Sequence, residues 1–362
     1  MPTESPHPAT LRIDLDALAR NFRLLRERAS PAECAAVVKA DAYGRGVERG
    51  VDRLLREACG RFFVATADEA RDVRALAPQA EIAVFEGALP NTVAALVELD
   101  ARPVLNSLEQ VERWRGKGRA LLHLDTGMNR LGLSAADVAT LAQRKDVLGG
   151  LALDFVMTHL ACADEPEHPV NAEQLARFER LRDALPAAPT SIGNSAGTLL
   201  GPKYRGDLVR PGIALYGGNP FSDRPNPMNS VVTLTAPILQ VRELDEPQTV
   251  GYGATYVAQP PARIAVVGIG YADGYPRSLG NRGTAAVHGK RVPVVGRVSM
   301  DLIAIDIRGL RRDEVGVGVP GDVIGPTIGV DEVAAAAGTI SYEIFTGLGS
   351  RPARLYVHSA ER

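Results

Sequence analysis

Through its first two thirds, the 362-residue chain repeats one unit: a short apolar, β-branched run, a break, then an amphipathic segment rich in Ala, Leu and Arg. Strands are expected at 35–39, 61–65, 81–85, 102–106, 120–125, 151–158, 190–194 and 207–211. Helical segments at 46–58, 68–75, 90–99, 107–115, 134–143 and 171–185 lie between most of them. Repeated strand–helix units imply parallel pairing through right-handed crossovers. Eight strands favour a closed (β/α)8 barrel of the TIM type, with an open doubly wound sheet as the alternative.

After Tyr216 the texture changes. The stretches 217–220 and 225–227, rich in Gly, Asn and Pro, read as a linker. Beyond it come β-like runs at 231–235, 263–268, 291–295 and 302–307, with one Ala-rich helical segment at 331–337. The expectation is two domains, a barrel over 1–225 and a mostly antiparallel β domain over 226–362, since a chain this long exceeds one ordinary core.

A net charge of −2 gives no electrostatic reason to expect nucleic acid or an anionic membrane as partner. No stretch approaches the roughly 18 apolar residues of a membrane span. Residues 1–8 lack the basic and apolar blocks of a secretion signal. Cys34, Cys59 and Cys162 are scattered, so neither a disulfide framework nor a metal site is indicated, and a cytoplasmic location is expected.

Lys39 ends an apolar run and is one of only five lysines among 41 basic residues. Where arginine supplies nearly every positive charge, a lysine at the rim of a buried strand suggests a role for an amine that loses its proton and forms an imine. The plainer reading is a lysine whose stem packs on the strand while its head stays in water. In a barrel, catalytic groups gather at the C-terminal ends of the strands. Arg130, His159, Ser195 and Arg210 all fall at such ends. Each has a plain reading alone: an ion pair on a turn, a buried histidine, a helix cap and a strand terminator. Together, an imine-forming lysine, a phosphate cradle at a helix start and nearby cations suit pyridoxal 5'-phosphate.

The segment 38–44, Val-Lys-Ala-Asp-Ala-Tyr-Gly, resembles the cofactor-lysine motif of the alanine racemases. The resemblance continues at 125–132, 158–160, 194–196, 209–213, 252–256, 270–274 and 298–301, and so spans both expected domains. It implies that Lys39 carries the cofactor and serves as base for the D-enantiomer. Tyr252 would act on the opposite face, supplied across a head-to-tail homodimer. Tyr43, Ser195, Gly212 and Ile213 would hold the phosphate. Arg210 would face the pyridine nitrogen with His159 hydrogen-bonded behind it. Arg130 and the Met300 backbone would bind the substrate carboxylate, with Tyr271 and Asp301 shaping the substrate site.

The chemistry of these implied roles is coherent. Racemisation removes a proton from one face of a carbon and returns one to the other, which two opposed bases do more readily than one. The sequence also departs from the family pattern. Some relatives carry a carbamylated lysine seven residues before the substrate arginine, and here that position is His123. Where some have a phosphate-contacting tyrosine, the match falls on Ser350, with Tyr356 nearby, and neither is given a role.

The expected activity is interconversion of L- and D-alanine, supplying D-alanine for peptidoglycan. The rival readings are a racemase of serine or of broader specificity, a basic-amino-acid decarboxylase, and a non-catalytic pyridoxal phosphate carrier. Arg210 argues against the decarboxylase, which would place a carboxylate at the ring nitrogen. The second domain, with Tyr252 and Met300, argues against the carrier.

Overall fold

The computed structural model describes residues 9–358. Residues 1–8, on which the secretion-signal reading rests, lie outside them. The described chain forms two compact units. One comprises Leu18–Leu215 with Asn219–Met228, and the other the residues up to Ala17, Tyr216–Gly218 and the chain from Asn229 onward.

The first unit is a closed parallel barrel. Its staves are Arg61–Val64, Glu81–Val84, Arg102–Leu105, Arg119–His123, Ala152–Met157, Thr190–Ser191 and Leu208–Val209, with the extended segment 33–37 as the eighth. That segment closes the ring by dividing its partners. Glu33–Cys34 pairs with Leu208–Val209, and Ala36–Val37 pairs with Phe62–Phe63. All eight expected strands are present, shortened by a residue or more at most ends. The strands are nearly continuous apolar runs because the stave interiors are buried on both faces. Helix starts follow local chemistry. Thr66 with Glu69 and Ser134 with Asp137 form capping boxes ahead of Ala67–Leu76 and Ala135–Gln143.

At the N-terminal ends of the staves, arginines and carboxylates from several strands interleave. Arg61 pairs with Glu33 at 3.1 Å and with Glu81, and Arg102 pairs with Glu81 at 3.1 Å and Asp154 at 2.6 Å. Arg119 closes on the buried Asp154 from the other side. Arg102 and Asp154 are mostly withdrawn from water, so each needs the other's charge.

The second unit is built on an eight-stranded sheet. The 13-residue strand Val232–Leu244 pairs through its first half with Thr10–Asp14 and Pro320–Ile324, and through its second half with Ala262–Val267. A register irregularity between Ile238 and Gln240 marks the switch. The remaining pairings, through Ile303–Asp306, Lys290–Val295 and Thr284–Val287 back to Pro320–Ile324, close a ring of strands around an apolar core. The expected helix appears as Val330–Ala337, and a second, Ser341–Gly347, follows it. The sequence implies a single division at 225/226. Here strand Thr10–Asp14 is hydrogen-bonded between Val232–Leu244 and Ala353–Val357, so the start of the described chain belongs with the β unit.

The charge ring makes a measurable claim. Asp154→Ala should cost about 3 kcal/mol by leaving Arg102 without its nearest carboxylate. Glu112→Ala, which removes only exposed pairs with Arg115 and Arg144, should cost less than about 1 kcal/mol. Urea midpoints read both, and equal losses would remove the ring from the account of barrel stability.

Candidate active site

The C-terminal ends of the staves bring Lys39, Arg130, His159, Ser195 and Arg210 into one unit, as the sequence reading expects. Lys39 is the second residue beyond stave Ala36–Val37 and opens an unusual turn. Ala40, Asp41, Ala42 and Tyr43 all have φ between 52° and 57°, the left-handed region. The Ala42 N–H donates to Val38 at 2.9 Å and the Gly46 N–H to Asp41 at 3.0 Å. The Lys39 amine stands 5.7 Å from the centre of the Phe85 ring and is half-buried. Burial, and next the Arg130 charge, lower its proton affinity, while Glu69 raises it.

The motif 209–213 supplies a cradle. Ser195 Oγ accepts from the N–H groups of Gly212 at 2.9 Å and Ala214 at 3.3 Å. A Cβ on Gly212 would fall 2.1 Å from the Tyr43 hydroxyl, so only glycine lets the hydroxyl reach this backbone. Asn194 caps the helix that begins at Ser195, accepting from Gly197 N–H at 2.9 Å. Tyr43, Ser195, Gly212 and Ile213 are thus gathered as expected, with Ile213 one residue beyond the glycine.

Arg210 is only 3% exposed. Its guanidinium donates to Ser191 Oγ and, at 2.7 Å, to the Thr158 carbonyl, while its Nε has no hydrogen-bond partner among the described residues. Burial pulls it down to about 9, which still leaves it charged near neutrality. The hydrogen bond expected between Arg210 and His159 is absent among the described residues, since the guanidinium is taken up by Ser191 and the peptide before His159. His159 keeps an exposed edge. Even so, enclosure together with Arg210, Arg130, His123 and Lys39 holds it well below the usual histidine range.

Arg130 projects from a loop organised by Asp125, whose Oδ1 accepts from the N–H groups of Gly127, Met128 and Asn129 at 2.9–3.1 Å. The guanidinium is exposed and makes no hydrogen bond or ion pair among the described residues, leaving it open to an anion. His123, in place of the lysine of some relatives, is buried and its Nδ1 lies 2.8 Å from Asn106 Oδ1. Two supports went unremarked in the sequence, Gln174 and Arg177. Gln174 Nε2 donates to Thr126 Oγ1 and to the His159 carbonyl, and Arg177 donates to the Thr126 carbonyl. Helical spacing of three places both on one face of Val170–Arg182, but nothing in the sequence says what that face meets.

The β unit carries the other expected residues. Tyr252 sits at the tip of the hairpin Gln248–Thr249/Val257–Ala258, 73% exposed. Gly253 beside it has φ 71°, in the left-handed region that favours glycine, and lies under the Arg297 guanidinium. Tyr271 and Met300 occupy neighbouring loops, joined by Tyr271 N–H to Ser299 at 3.1 Å and Ala272 N–H to Met300 at 3.0 Å. Asp301 accepts from Arg351 at 2.8 Å, and Arg351 also faces the buried Asp273 at 3.5 Å, so Asp301 supports the Met300 loop. Ser350 lies beside that arginine, and Tyr356 lies in strand Ala353–Val357, in register with Ile13. Among the described residues no cluster of His, Cys, Asp and Glu is placed to hold a metal.

Known proteins resemble the chain along its whole length. The family model described as "Alanine racemase, N-terminal domain" matches residues 13–220, and that described as "Alanine racemase, C-terminal domain" matches 231–356. An alanine racemase of Methylobacterium sp. (strain 4-46) is 47% identical, covering 99% of this chain and all of the relative. One from Rhodospirillum rubrum is 46% identical over 96% of each. The crystal structure of alanine racemase from Bartonella henselae with covalently bound pyridoxal phosphate superposes with a TM-score of 0.93. It is 36% identical and covers 97% of this chain and 100% of that one.

The buried imidazole at 123 has a pH consequence. Burial, then Arg210, pull it from 6.5 down to about 4. A depressed histidine favours the folded state above the unfolded value, and that contribution is lost as the pH falls through about 4. Urea titrations at pH 7 and at about pH 4.5 should show His123→Asn losing on the order of 2 kcal/mol less than the wild type between the two. Equal losses would acquit His123.

Proposed function

Because the chain belongs to the alanine racemase family, we propose that it interconverts L- and D-alanine with pyridoxal 5'-phosphate as cofactor. The observation that carries this reading is the barrel rim. There a half-buried amine, Lys39, stands in one unit with a cradle at Tyr43, Ser195 and Gly212 and with an arginine whose buried Nε has no partner among the described residues. An unpartnered buried donor and a glycine-only approach fit a flat, anionic group entering between them.

When bound, the cofactor supplies an aldehyde carbon for covalent attachment and a conjugated ring that delocalises charge from the α-carbon. Lys39 holds it and moves the proton on the D face. Its lowered proton affinity leaves more of the amine able to accept a proton near neutrality. Tyr43, Ser195 and the Gly212 and Ile213 backbone hold the phosphate. Arg210 would face the ring nitrogen, where a guanidinium offers no acceptor and would discourage a proton. His159, kept neutral, lies within this cationic group. Arg130 would receive the substrate carboxylate together with the backbone of Met300 of the partner subunit, with the partner subunit's Tyr271 and the partner subunit's Asp301 around the opening.

Tyr252 moves the proton on the L face. We assign that hydroxyl to the neighbouring molecule of a homodimer, so that Tyr252 of the partner subunit faces each Lys39. Exposure of Tyr252, Tyr271, Met300 and Tyr342 supports this, since large apolar side chains left bare in the β unit suit burial against a second copy. The same reading places the enzyme in the cytoplasm, making D-alanine for peptidoglycan. Cys34, Cys59 and Cys162 are free thiols, and burial raises the pKa of each.

Purified protein with added cofactor should convert L-alanine into the racemic mixture on chiral chromatography, and Lys39→Ala and Tyr252→Phe should each lower the rate by about 10²- to 10⁴-fold. No D-product from the wild type would sink the assignment. In D2O, Tyr252→Phe should still exchange the α-hydrogen of D-alanine while losing that of L-alanine. Mixing the two variants tests the shared site. Each heterodimer then holds one site with both native residues, and about a quarter of wild-type activity should return. Were Lys39 and Tyr252 to act from the same molecule, mixing would restore none.

A further inference from the structure

The Glu69 carboxylate makes bonds that reach beyond its own helix. Its Oε2 accepts from Ala65 N–H at 2.7 Å and Thr66 N–H at 3.4 Å, completing the capping box of Ala67–Leu76. Its Oε1 points the other way and accepts from Ala40 N–H at 2.7 Å, the first peptide after Lys39. One side chain therefore ties the end of stave Arg61–Val64 to the left-handed turn that follows the neighbouring stave.

We propose that Glu69 is a positioning residue for Lys39, its carboxylate fixing the turn that aims the amine and holding a negative charge beside it. The inference rests on reading Lys39 as the cofactor lysine. Four successive left-handed non-glycine residues cost about 1–2 kcal/mol each, so the turn persists only where its surroundings hold it. A helix cap alone needs only the contacts to Ala65 and Thr66, and the bond to Ala40 goes beyond capping. The charged and titratable groups facing the amine are Arg130, His159 and Glu69, while the Asp41 carboxylate is turned to Val47 N–H at 2.7 Å. Of these, Glu69 is the one that favours the ammonium form.

Three full-length variants separate this role from capping. Glu69→Gln keeps one acceptor oxygen and removes the charge, so one of the opposed N–H groups loses its partner. Glu69→Asp keeps the charge and shortens the reach. Thr66→Ala removes the hydroxyl that accepts from Glu69 N–H and leaves the carboxylate in place. In hydrogen exchange of the holoenzyme, residues 39–44 should exchange about tenfold faster in Glu69→Gln and Glu69→Asp than in the wild type, and unchanged in Thr66→Ala. The pH at which the apoprotein takes up pyridoxal 5'-phosphate, followed by absorbance, should fall by about one unit in Glu69→Gln alone, because losing the carboxylate lowers the proton affinity of the amine. If Glu69→Gln matches Thr66→Ala in both measurements, Glu69 is a helix cap and the proposal fails. If the wild type takes up no cofactor, the reading of Lys39 fails instead, while exchange at 39–44 measured on the cofactor-free full-length proteins still judges the contact to Ala40.

Discussion

Closure of the barrel rests on the five residues 33–37, which pair with the last stave through Glu33–Cys34 and with the next through Ala36–Val37. A segment shared this way has little freedom to shift, because slipping on one side would break the ladder on the other. Lys39 follows two residues later, so the position of its Cα is inherited from closure of the whole ring. The direction of its side chain is set separately, by the left-handed turn at 40–43. That conformation runs against backbone preference at each residue, and hydrogen bonds from Ala42, Gly46 and Val47 offset part of the cost. A reactive amine gains from this arrangement, since a strained turn clamped at several points holds one geometry where a relaxed loop would sample many.

The barrel was largely legible because its staves are apolar on both faces and its helices start with recognisable caps. The β unit was less so. Thr284–Val287 is half alanine, and Pro320–Ile324 opens Pro-Gly-Asp, compositions that disfavour strands until neighbours enforce them. Thr10–Asp14 pairs with strands more than 200 residues away, and no local pattern announces such a partner. The expected site residues separate in the same manner. Lys39, Arg130, Ser195 and Arg210 could be placed because stave ends are where a barrel gathers chemistry. Glu69, Gln174 and Arg351 act through bonds to backbone or to other loops. Only Glu69 left a trace, the Thr66-x-x-Glu69 spacing, and that spacing announces a helix start without revealing the second bond.

Electrostatics explains why so arginine-rich a chain keeps a lysine here. Arg130, Arg210 and Lys39 share the rim with two imidazoles; burial first, and then Arg130 at Lys39 and Arg210 at His123 and His159, makes the amine and the imidazoles harder to protonate. Under burial and that repulsion the group with the weakest hold on its proton yields first. The imidazoles therefore stay neutral, the guanidiniums stay charged, and the amine lies between them. On the proposed function, a phosphate and a carboxylate entering the rim would meet fixed arginine charge, while proton transfer would fall to Lys39, a cation able to give up and regain its proton. Replacing Lys39 by arginine would keep the field and remove the chemistry. The division of labour between the two basic residue types is thus a direct consequence of crowding positive charge at one end of a barrel.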